Sequence, residues 1–539
     1  MLWVLLAVAL LAAPGSALAD EPPPGSVSAA AAGRAADRDR KVIEQERARG
    51  ELPYSSEFVD GRWEVSYFDG DERVALAFVD PTTGVVTESW TGHQVDWSMA
   101  RGYEGAFGHK LNAPYVFLPL CAIFLLGLVD WRRLRRPANL DLLALLGFGV
   151  SHYFFNRAEI GVSVPLQYLP LLYLLGRALW IGFRGGGEGI RPVWPAAWLL
   201  VAALFLLGFR AGLNVADSEV IDVGYASVVG ADNVADGEAV YGDFPEDVGQ
   251  GDTYGPFNYH AYVPFEQAWP WSGSWDDLPA AHAAAIAFDL LAFALLYLLG
   301  TRLRRGPPGR LLGATLAFAW AAYPYTAFVL ASNSNDTLVA VLLVATLLFA
   351  ARPMARGALL AAATLTKFAP VLLLPMLATY RDEQRLGKEE KSESSSAGDP
   401  DEGTRGLIAW PLILKFALAF GLIAVLLMIP TVLDPGLTTF WDRTVAYQAD
   451  RDSPFSIWGQ VPSLEPLRIA IAVATAALAV LVAFRPRVKS VVQVAALGAA
   501  LLIAVQLTAE HWFYLYVVWF YPLLLIAFAA QVTGAPRAN

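Results

Sequence analysis

Long apolar segments recur along most of this 539-residue chain. From about residue 113 onward, runs of roughly 17–25 hydrophobic residues alternate with short polar connections, and each run can cross a hydrocarbon core of about 30 Å as a helix. The pattern predicts an α-helical polytopic membrane protein. The predicted spans are 113–130, 140–155, 160–182, 194–211, 280–300, 311–330, 337–350, 408–430, 465–484, 491–507 and 512–531.

One apolar segment, 357–380, does not fit this alternation. Basic residues mark the cytoplasmic ends of membrane helices, and the cluster "AFRPRVKS" (483–490) would face outward if 357–380 crossed the membrane once. Two half-length helices that meet near "LTKFAP" (365–370) place every later basic cluster inside and Lys367 deep in the membrane. With these half-helices counted separately, the chain is predicted to make about thirteen passes and to end in the cytoplasm.

The N-terminal part of the chain has a different pattern. Residues 1–19, "MLWVLLAVALLAAPGSALA", predict a signal peptide, with an uncleaved anchor as the alternative. Residues 20–112 combine a charged helical stretch with alternating apolar and polar residues separated by turn sequences, which predicts a small extracytoplasmic α+β domain. A helix followed by strands that end in "VDPTTGVV" resembles the exported PepSY-like domain.

Composition and charge narrow the class of protein further. Hydrophobic residues make up 56% of the chain and charged residues 17%, as expected for a membrane protein. The net charge of −11 argues against nucleic acid as a partner, and the single cysteine, Cys121, excludes an intramolecular disulfide. The histidines show no metal-ligand spacing, so no cofactor is predicted, and a divalent cation held by loop carboxylates stays open as an alternative.

The loop 213–279 between two predicted spans is strongly acidic. It holds thirteen Asp and Glu residues and no Lys or Arg. The predicted topology places this acidic loop on the outer face, together with the loop 431–464 and the short turns at 332–336 and 510–511. A charged low-complexity insert at 381–406 is predicted to be a disordered cytoplasmic loop.

Several ordered motifs carry a resemblance to a known superfamily. The acidic loop has "VIDVGY" and "YGPFNYHAYVPFE", and "SNSNDTLVAVLLVATLLFAAR", "GALLAAATLTKFAPVLLLPML" and "EHWFYLYVVWFYPLLL" follow in order. This set resembles the GT-C superfamily of membrane glycosyltransferases, and within it the polyprenyl-phosphate-mannose-dependent mannosyltransferases. The resemblance covers about residues 193–531, and the three spans of 113–192 lie outside it as accessory helices.

The resemblance implies a particular reaction. A hexose, by resemblance mannose, would move with inversion from a polyprenyl-phosphate donor to a hydroxyl of a lipid or glycan acceptor, on the extracytoplasmic face of the plasma membrane. The family's catalytic carboxylate corresponds to Asp222, with Asp217 as the nearest rival. The chemistry itself favours a carboxylate, because transfer to a hydroxyl needs a base within hydrogen-bond reach.

The leaving phosphate needs positive charge or hydrogen-bond donors. We expect Lys367, Arg451, His511 and Arg443 to lie near it, although a snorkelling lysine, surface arginines and an interfacial histidine are the structural alternatives. Further residues are candidates for contact with the sugar or the acceptor. They are Tyr254, Tyr259, His260 and Glu510.

Two other functions are compatible with the same sequence. Intramembrane Lys367 and the broken segment 357–380 would also suit a transporter or lipid-carrier flippase, because interrupted helices often mark midplane sites. A catalytically inactive or sensory protein is the third hypothesis, in which the exported domain binds a ligand and the membrane part only anchors it.

Overall fold

The computed structural model describes residues 22–59, 61–102, 109–186, 189–275, 278–381, 409–449, 451 and 453–530. The predicted signal peptide (1–19) and all but the first residue of the charged insert predicted at 381–406 lie outside these residues. The chain divides into two compact units, Met1–Gly102 and Tyr103–Asn539.

The N-terminal unit is a small α+β fold. Its elements are α1 (Ala29–Ala36), α2 (Arg40–Arg49), β1 (Tyr54–Val59), β2 (Arg62–Asp69), β3 (Glu72–Val79), β4 (Val86–Thr91) and α3 (His93–Asp96). The strands form an antiparallel meander in the order β1-β2-β3-β4. Val65, Tyr67 and Ala77 from the sheet are completely buried together with Ala32 and Val42 from the helices.

This unit agrees with the predicted α+β domain and refines it in two places. The predicted helical stretch is two helices, because Asp39 accepts a hydrogen bond from the Lys41 amide (2.9 Å) and caps a new helix there. Strand β1 lies upstream of residues 62–90, whose alternating apolar and polar pattern predicts strands. Turns at Gly70 and Gly84, both with positive φ, connect the later strands as their sequences predict.

Within its described residues, the second unit contains helices and no strands. Its longer helices are α4 (Pro114–Leu128), α5 (Pro137–Leu146), α6 (Phe148–Asn156), α7 (Ile160–Arg184), α8 (Ala196–Ala216), α9 (Asp222–Asp236), α10 (Pro256–Glu266), α11 (Pro279–Leu303), α12 (Pro307–Ala322), α13 (Pro324–Ala331), α14 (Asp336–Leu348), α15 (Pro353–Thr364), α16 (Leu374–Thr379), α17 (Trp410–Leu433), α18 (Glu465–Phe484), α19 (Val491–Gln506) and α20 (Val517–Ala529). Every predicted span coincides with one or two of these helices.

Length and composition single out the helices that can cross a membrane. Within the described ranges these are Pro137–Asn156, Ile160–Arg184, Ala196–Ala216, Pro279–Leu303, Trp410–Leu433 and Pro462–Phe484. The pair α12 and α13, bent by 54°, adds a seventh if it is counted as one span. The predicted membrane protein class is thus supported by several long apolar helices. The figure of about thirteen passes, which also includes shorter helices, stays a prediction.

A buried arginine stabilises the bend between α12 and α13. Pro324 has no amide hydrogen, so the carbonyl of Trp320 loses its helical partner. Arg210 on α8 donates to this carbonyl (3.1 Å) and to the hydroxyl of Thr326 (3.1 Å), and its charge pairs with Asp289 on α11. One side chain therefore joins the bend to two neighbouring helices.

The segment 353–380 folds back on itself and is called the hairpin below. Helix α15 ends at Thr364, and helical structure resumes only at Ala369. Arg356, in the first turn of α15, donates to the carbonyl of Tyr380 at 3.5 Å, and its guanidinium lies 5.2 Å from the centroid of that ring. The two ends of the hairpin are therefore adjacent, in agreement with two half-length helices, and the break that contains Lys367 lies at its far end.

The hairpin makes a prediction for chemical labelling. In a Cys121→Ala background, Ala351→Cys and Arg381→Cys should react with a membrane-impermeant maleimide from the same side. Val461→Cys should react from the other side, because helix α18 separates it by about 30 Å from Ala483, whose carbonyl accepts a hydrogen bond from Thr379 (2.8 Å). Labelling of positions 351 and 381 from opposite sides would contradict the hairpin.

Candidate functional site

Lys367 forms a buried ion pair at the break of the hairpin. Its side chain is 8% exposed, and Nζ donates to Oδ1 of Asp336 at 2.6 Å. Asp336 is completely buried at the start of α14, and the same oxygen accepts the indole N–H of Trp519 at 2.7 Å. The other carboxylate oxygen accepts the hydroxyl of Ser334. All of these partners hold Asp336 in one orientation, and Asp336 in turn fixes the lysine.

Aromatic rings enclose the rest of the lysine ammonium. The ring centroids of Tyr254, Tyr516 and Trp519 lie 5.1, 5.6 and 5.2 Å from Nζ of Lys367. Cation–π attraction is strongest where water is excluded, so these rings partly replace the hydration that burial removes. Tyr254 and Tyr516 are only partly buried, and the enclosure is therefore open on one side.

The acidic loop reaches this ion pair by docking on the break of the hairpin. The break leaves the carbonyls of Leu365 and Thr366 without helical partners, and the amides of Phe257 (2.9 Å) and Gly255 (3.2 Å) donate to them. A Cβ at Gly255 would lie 2.2 Å from the Leu365 oxygen, so only glycine permits this approach. This docking places Tyr254 beside Lys367.

A second docking contact positions Asp222. The side-chain amide of Asn333 donates to the carbonyl of Glu219 (2.9 Å), and the amide of Ile221 donates to the carbonyl of Ser332 (3.3 Å). Gly224 lies against the turn so closely that a Cβ would be 2.4 Å from the Asn333 oxygen. Helix α9 begins at Asp222, in the residues that these contacts hold against the turn before Asp336.

Asp222 is open to solvent and yet surrounded by protein. Its side chain is exposed, while desolvation by neighbouring protein atoms is the largest influence on its carboxyl and raises its pKa. We infer from these two properties that the carboxyl lies in a recess of the protein surface, called the recess below. Its pKa is lowered in turn by the Val223 amide, Arg451 and Lys367, and raised by Asp336, so the charges of three segments meet there.

Arg451 and His511 lie on the same recess. Arg451 is half-buried, 5.9 Å from the centroid of the Tyr447 ring, and acts electrostatically on both Asp222 and His511. Nδ1 of His511 lies 3.0 Å from the Ser453 hydroxyl. Burial is the largest influence on this imidazole, and with Arg451 and Lys367 it holds the pKa of His511 well below its usual range. His511 is therefore uncharged at neutral pH.

These residues together are called the charged cluster below. Its members are Asp222, Asp336, Lys367, Arg451 and His511. It combines an accessible carboxylate, two cations, a neutral imidazole and one carboxylate whose acceptors are occupied. Such a set can accept a proton at one position and stabilise a developing anion at another.

Two predicted charged residues have partners elsewhere. Asp217, the rival of Asp222, accepts the Lys110 amide (3.0 Å) and pairs with the Lys110 ammonium (3.3 Å). Arg443 pairs with Asp252 at 2.6 Å and also donates to the carbonyl of Gly249. Arg443 thus ties the 431–464 loop to the acidic loop.

Of the residues predicted to contact the sugar or the acceptor, one borders the recess and three have partners elsewhere. Tyr254 borders the recess. The buried Tyr259 donates to the carbonyl of Gly251 (2.8 Å), and Nδ1 of His260 lies 2.8 Å from the carbonyl of Pro256 within its own helix. Glu510 pairs with Arg468 (2.9 Å).

Sequence analysis missed Asp336, Trp519 and Tyr516. Asp336 lies in "SNSND", which has the composition of a solvated turn, although a carboxylate that opens an apolar helix is a natural partner for an intramembrane lysine. Trp519 and Tyr516 lie in an aromatic-rich span in which sequence alone does not distinguish them from membrane-facing rings.

Among the described residues, no group of three or more His, Cys, Asp or Glu side chains is arranged to hold a metal ion. Comparison with protein-family models and with curated proteins gave no match to this chain.

The ion pair makes a prediction for stability. Asp336→Asn leaves the Lys367 charge buried without a counter-charge and should lower the free energy of unfolding in detergent micelles by about 3–5 kcal/mol. Asp217→Asn, the same change at a more exposed pair, should cost about 1 kcal/mol or less. The double variant Lys367→Met/Asp336→Asn should recover most of the loss, because it removes both charges and keeps an amide oxygen that can accept the Trp519 indole N–H. Equal destabilisation by Asp336→Asn and Asp217→Asn would contradict this role.

Proposed function

We propose that the chain is an integral-membrane glycosyltransferase of the GT-C type that uses a polyprenyl-phosphate sugar. It transfers a hexose, by resemblance mannose, to a hydroxyl of a lipid or glycan acceptor, with inversion. The observation that carries the proposal is the accessible Asp222 carboxylate in one recess with the cations of Lys367 and Arg451. The ordered motifs in the sequence support the same reaction.

Asp222 is the general base in this proposal. As the acceptor oxygen bonds to the anomeric carbon, the bond from that carbon to the phosphate oxygen breaks, and the hydroxyl proton passes to Asp222. Desolvation raises the pKa of Asp222 and makes the carboxylate a better proton acceptor, while Arg451 and Lys367 favour its ionised form. No acid is needed, because the phosphate leaves as an anion.

Lys367 and Arg451 stabilise the leaving phosphate. An ammonium has three donors, of which Asp336 uses one on Lys367. The planar guanidinium of Arg451 can bind two phosphate oxygens at once. His511, uncharged, adds a neutral ring N–H rather than a third positive charge.

The polyprenyl chain has an apolar path beside the break of the hairpin. Phe368, next to Lys367, packs 6.2 Å from Phe440. Val371, Leu437 and Trp441 expose 42%, 56% and 56% of their surfaces there. The polyprenyl chain of a lipid-linked donor can lie along these side chains while its phosphate enters the recess. Contact between the two apolar surfaces keeps both away from water, which is favourable.

Sidedness follows from the positive-inside rule. Arg356 lies where the two ends of the hairpin meet. Lys489 lies beside that end, because its ammonium donates to the Ala483 carbonyl (3.2 Å) and the hydroxyl of Thr379 donates to the same oxygen. We assign this end to the cytoplasm of the plasma membrane, which makes the recess extracytoplasmic. The N-terminal unit is then extracytoplasmic, the C-terminus cytoplasmic, and the helices make about thirteen passes.

A transporter or lipid-carrier flippase is the second candidate, favoured by one observation. The hairpin carries a buried charge at its break, as the discontinuous helices of transporters do. Movement of labelled donor without a new glycosidic bond would favour this candidate over the transferase.

Removal of the base makes a direct prediction. Purified protein with radiolabelled polyprenyl-phosphate mannose and candidate acceptors should form a labelled glycoside. Asp222→Asn should slow this transfer by about 10²- to 10⁴-fold, the usual contribution of a general base.

Asp217→Asn is the matched control, because it makes the same change five residues away at a carboxylate paired with Lys110. It should retain a rate close to that of the wild type. Loss of transfer in Asp217→Asn with full activity in Asp222→Asn would overturn the assignment of the base.

Arg451 makes a prediction for pH dependence. Transfer requires ionised Asp222, so kcat/KM falls as pH drops through the pKa of that carboxyl. Arg451 lowers this pKa, and Arg451→Gln should therefore move the acidic limb of the kcat/KM profile to higher pH. Arg443→Gln, which removes a cation paired with Asp252, should leave the limb in place. An unchanged limb in Arg451→Gln would contradict the coupling.

A further inference from the structure

The accessory helices contact the loop that carries Arg451. The side-chain amide of Gln167 on α7, 3% exposed, donates to the carbonyl of Phe455 at 3.1 Å. The hydroxyl of the next residue, Tyr168, accepts the amide of Ile457 at 3.2 Å. In return, the side-chain amide of Gln460 donates to the carbonyl of Ile160 at 3.4 Å. Side chains of α7 thus provide hydrogen bonds that regular secondary structure does not give this loop.

The same helices hold the segment that follows His511. The hydroxyl of Tyr514 lies 2.7 Å from that of Ser151 and 3.1 Å from that of Ser163. The ring of Tyr514 stacks on His152, with centroids 4.4 Å apart. Tyr514 lies between His511 and Tyr516, both of which border the recess.

The two segments are also joined to each other. Besides the Ser453–His511 contact, the ring of Phe455 meets that of His511 edge-on, with centroids 5.4 Å apart. The indole of Trp458 donates to the carbonyl of Leu507 at 3.0 Å. Helices α6 and α7, the Arg451 loop and the His511 segment therefore pack as one block.

We propose that the accessory helices form a wall of the recess and that Gln167 and Tyr168 are positioning residues for Arg451. This inference rests on the proposed function for its kinetic consequence, but its structural part stands on these contacts alone. The loop from 453 to 464 contains only the single turn Ile457–Gln460 and a short 3₁₀ turn, so its own secondary structure holds it weakly. Loss of its anchors on α7 lets the loop move and weakens the effect of Arg451 on Asp222.

Helix α7 offers a matched pair of variants. Tyr168→Phe removes the hydroxyl that accepts the Ile457 amide. Tyr173→Phe removes a hydroxyl from the same helix, but that hydroxyl donates to Asp141 (2.8 Å), within the accessory helices. Each variant removes one hydroxyl and no ring from the same helix, so the two are matched in the size and kind of the change. Gln167→Met serves as a second test of the anchor.

Hydrogen exchange measures the anchor without any assay of activity. In the full-length protein, peptides that cover residues 453–461 should exchange about 2- to 10-fold faster in Tyr168→Phe and in Gln167→Met than in wild type, the factor that one hydrogen bond contributes. Tyr173→Phe should leave their exchange unchanged. Equal exchange in Tyr168→Phe and Tyr173→Phe would overturn the inference.

The kinetic measurement tests the link to Arg451. Three charged residues act on Asp222, namely Arg451, Lys367 and Asp336. Of these, only Arg451 belongs to the 431–464 loop, which α7 holds through residues 455–460. Tyr168→Phe should therefore move the acidic limb of kcat/KM toward higher pH, as Arg451→Gln does, and should add nothing in the Arg451→Gln background. If the Tyr168→Phe protein is active and the acidic limb of its kcat/KM profile is the same as in wild type, Tyr168 does not position Arg451. If wild-type protein shows no transfer, the proposed function fails, and the exchange result alone decides whether α7 holds the loop.

Discussion

The burial of the Lys367 charge in an apolar unit is the constraint on which the rest of the site depends. An intramembrane ammonium is costly unless a partner and an enclosure replace its hydration. Asp336 and three aromatic rings supply both. The lysine occupies a helix break, whose free carbonyls accept the amides of Gly255 and Phe257. The acidic loop is thereby held against the hairpin, beside the recess.

In this arrangement the carboxylates of Asp336 and Asp222 have different roles. Asp336 is enclosed by donors and remains a structural counter-charge, whereas Asp222 faces solvent within reach of the fields of both cations. Arg443 and Arg451 also differ in their surroundings. Arg443 joins two loops through Asp252, whereas Arg451 acts electrostatically on Asp222. Among the described acids of this loop, Asp222 is the carboxylate on which both Arg451 and Lys367 act, which is consistent with the proposed glycosyl transfer.

Much of the fold could be predicted, because a long apolar run has few structures other than a helix open to it. The distribution of basic residues also predicted the break near Lys367, where α15 ends at Thr364. The resemblance indicated Asp222, and Lys367 and His511 were indicated because they interrupt or border an apolar span. Arg451 was indicated as one of few cations predicted on the outer face. It could not predict Asp336 as the partner of Lys367, or α7 as the support of the Arg451 loop. Both depend on contacts between residues far apart in the chain.

In the proposed reaction, the cations of the charged cluster bind a lipid-linked phosphate beside the Asp222 carboxylate. An experimental structure of the protein in lipid nanodiscs with a non-hydrolysable polyprenyl-phosphate mannose analogue tests it most directly. The account predicts phosphate oxygens within hydrogen-bond distance of Lys367 and Arg451, with the anomeric carbon of the sugar facing Asp222. A phosphate bound elsewhere, with the recess closed to it, would contradict the account.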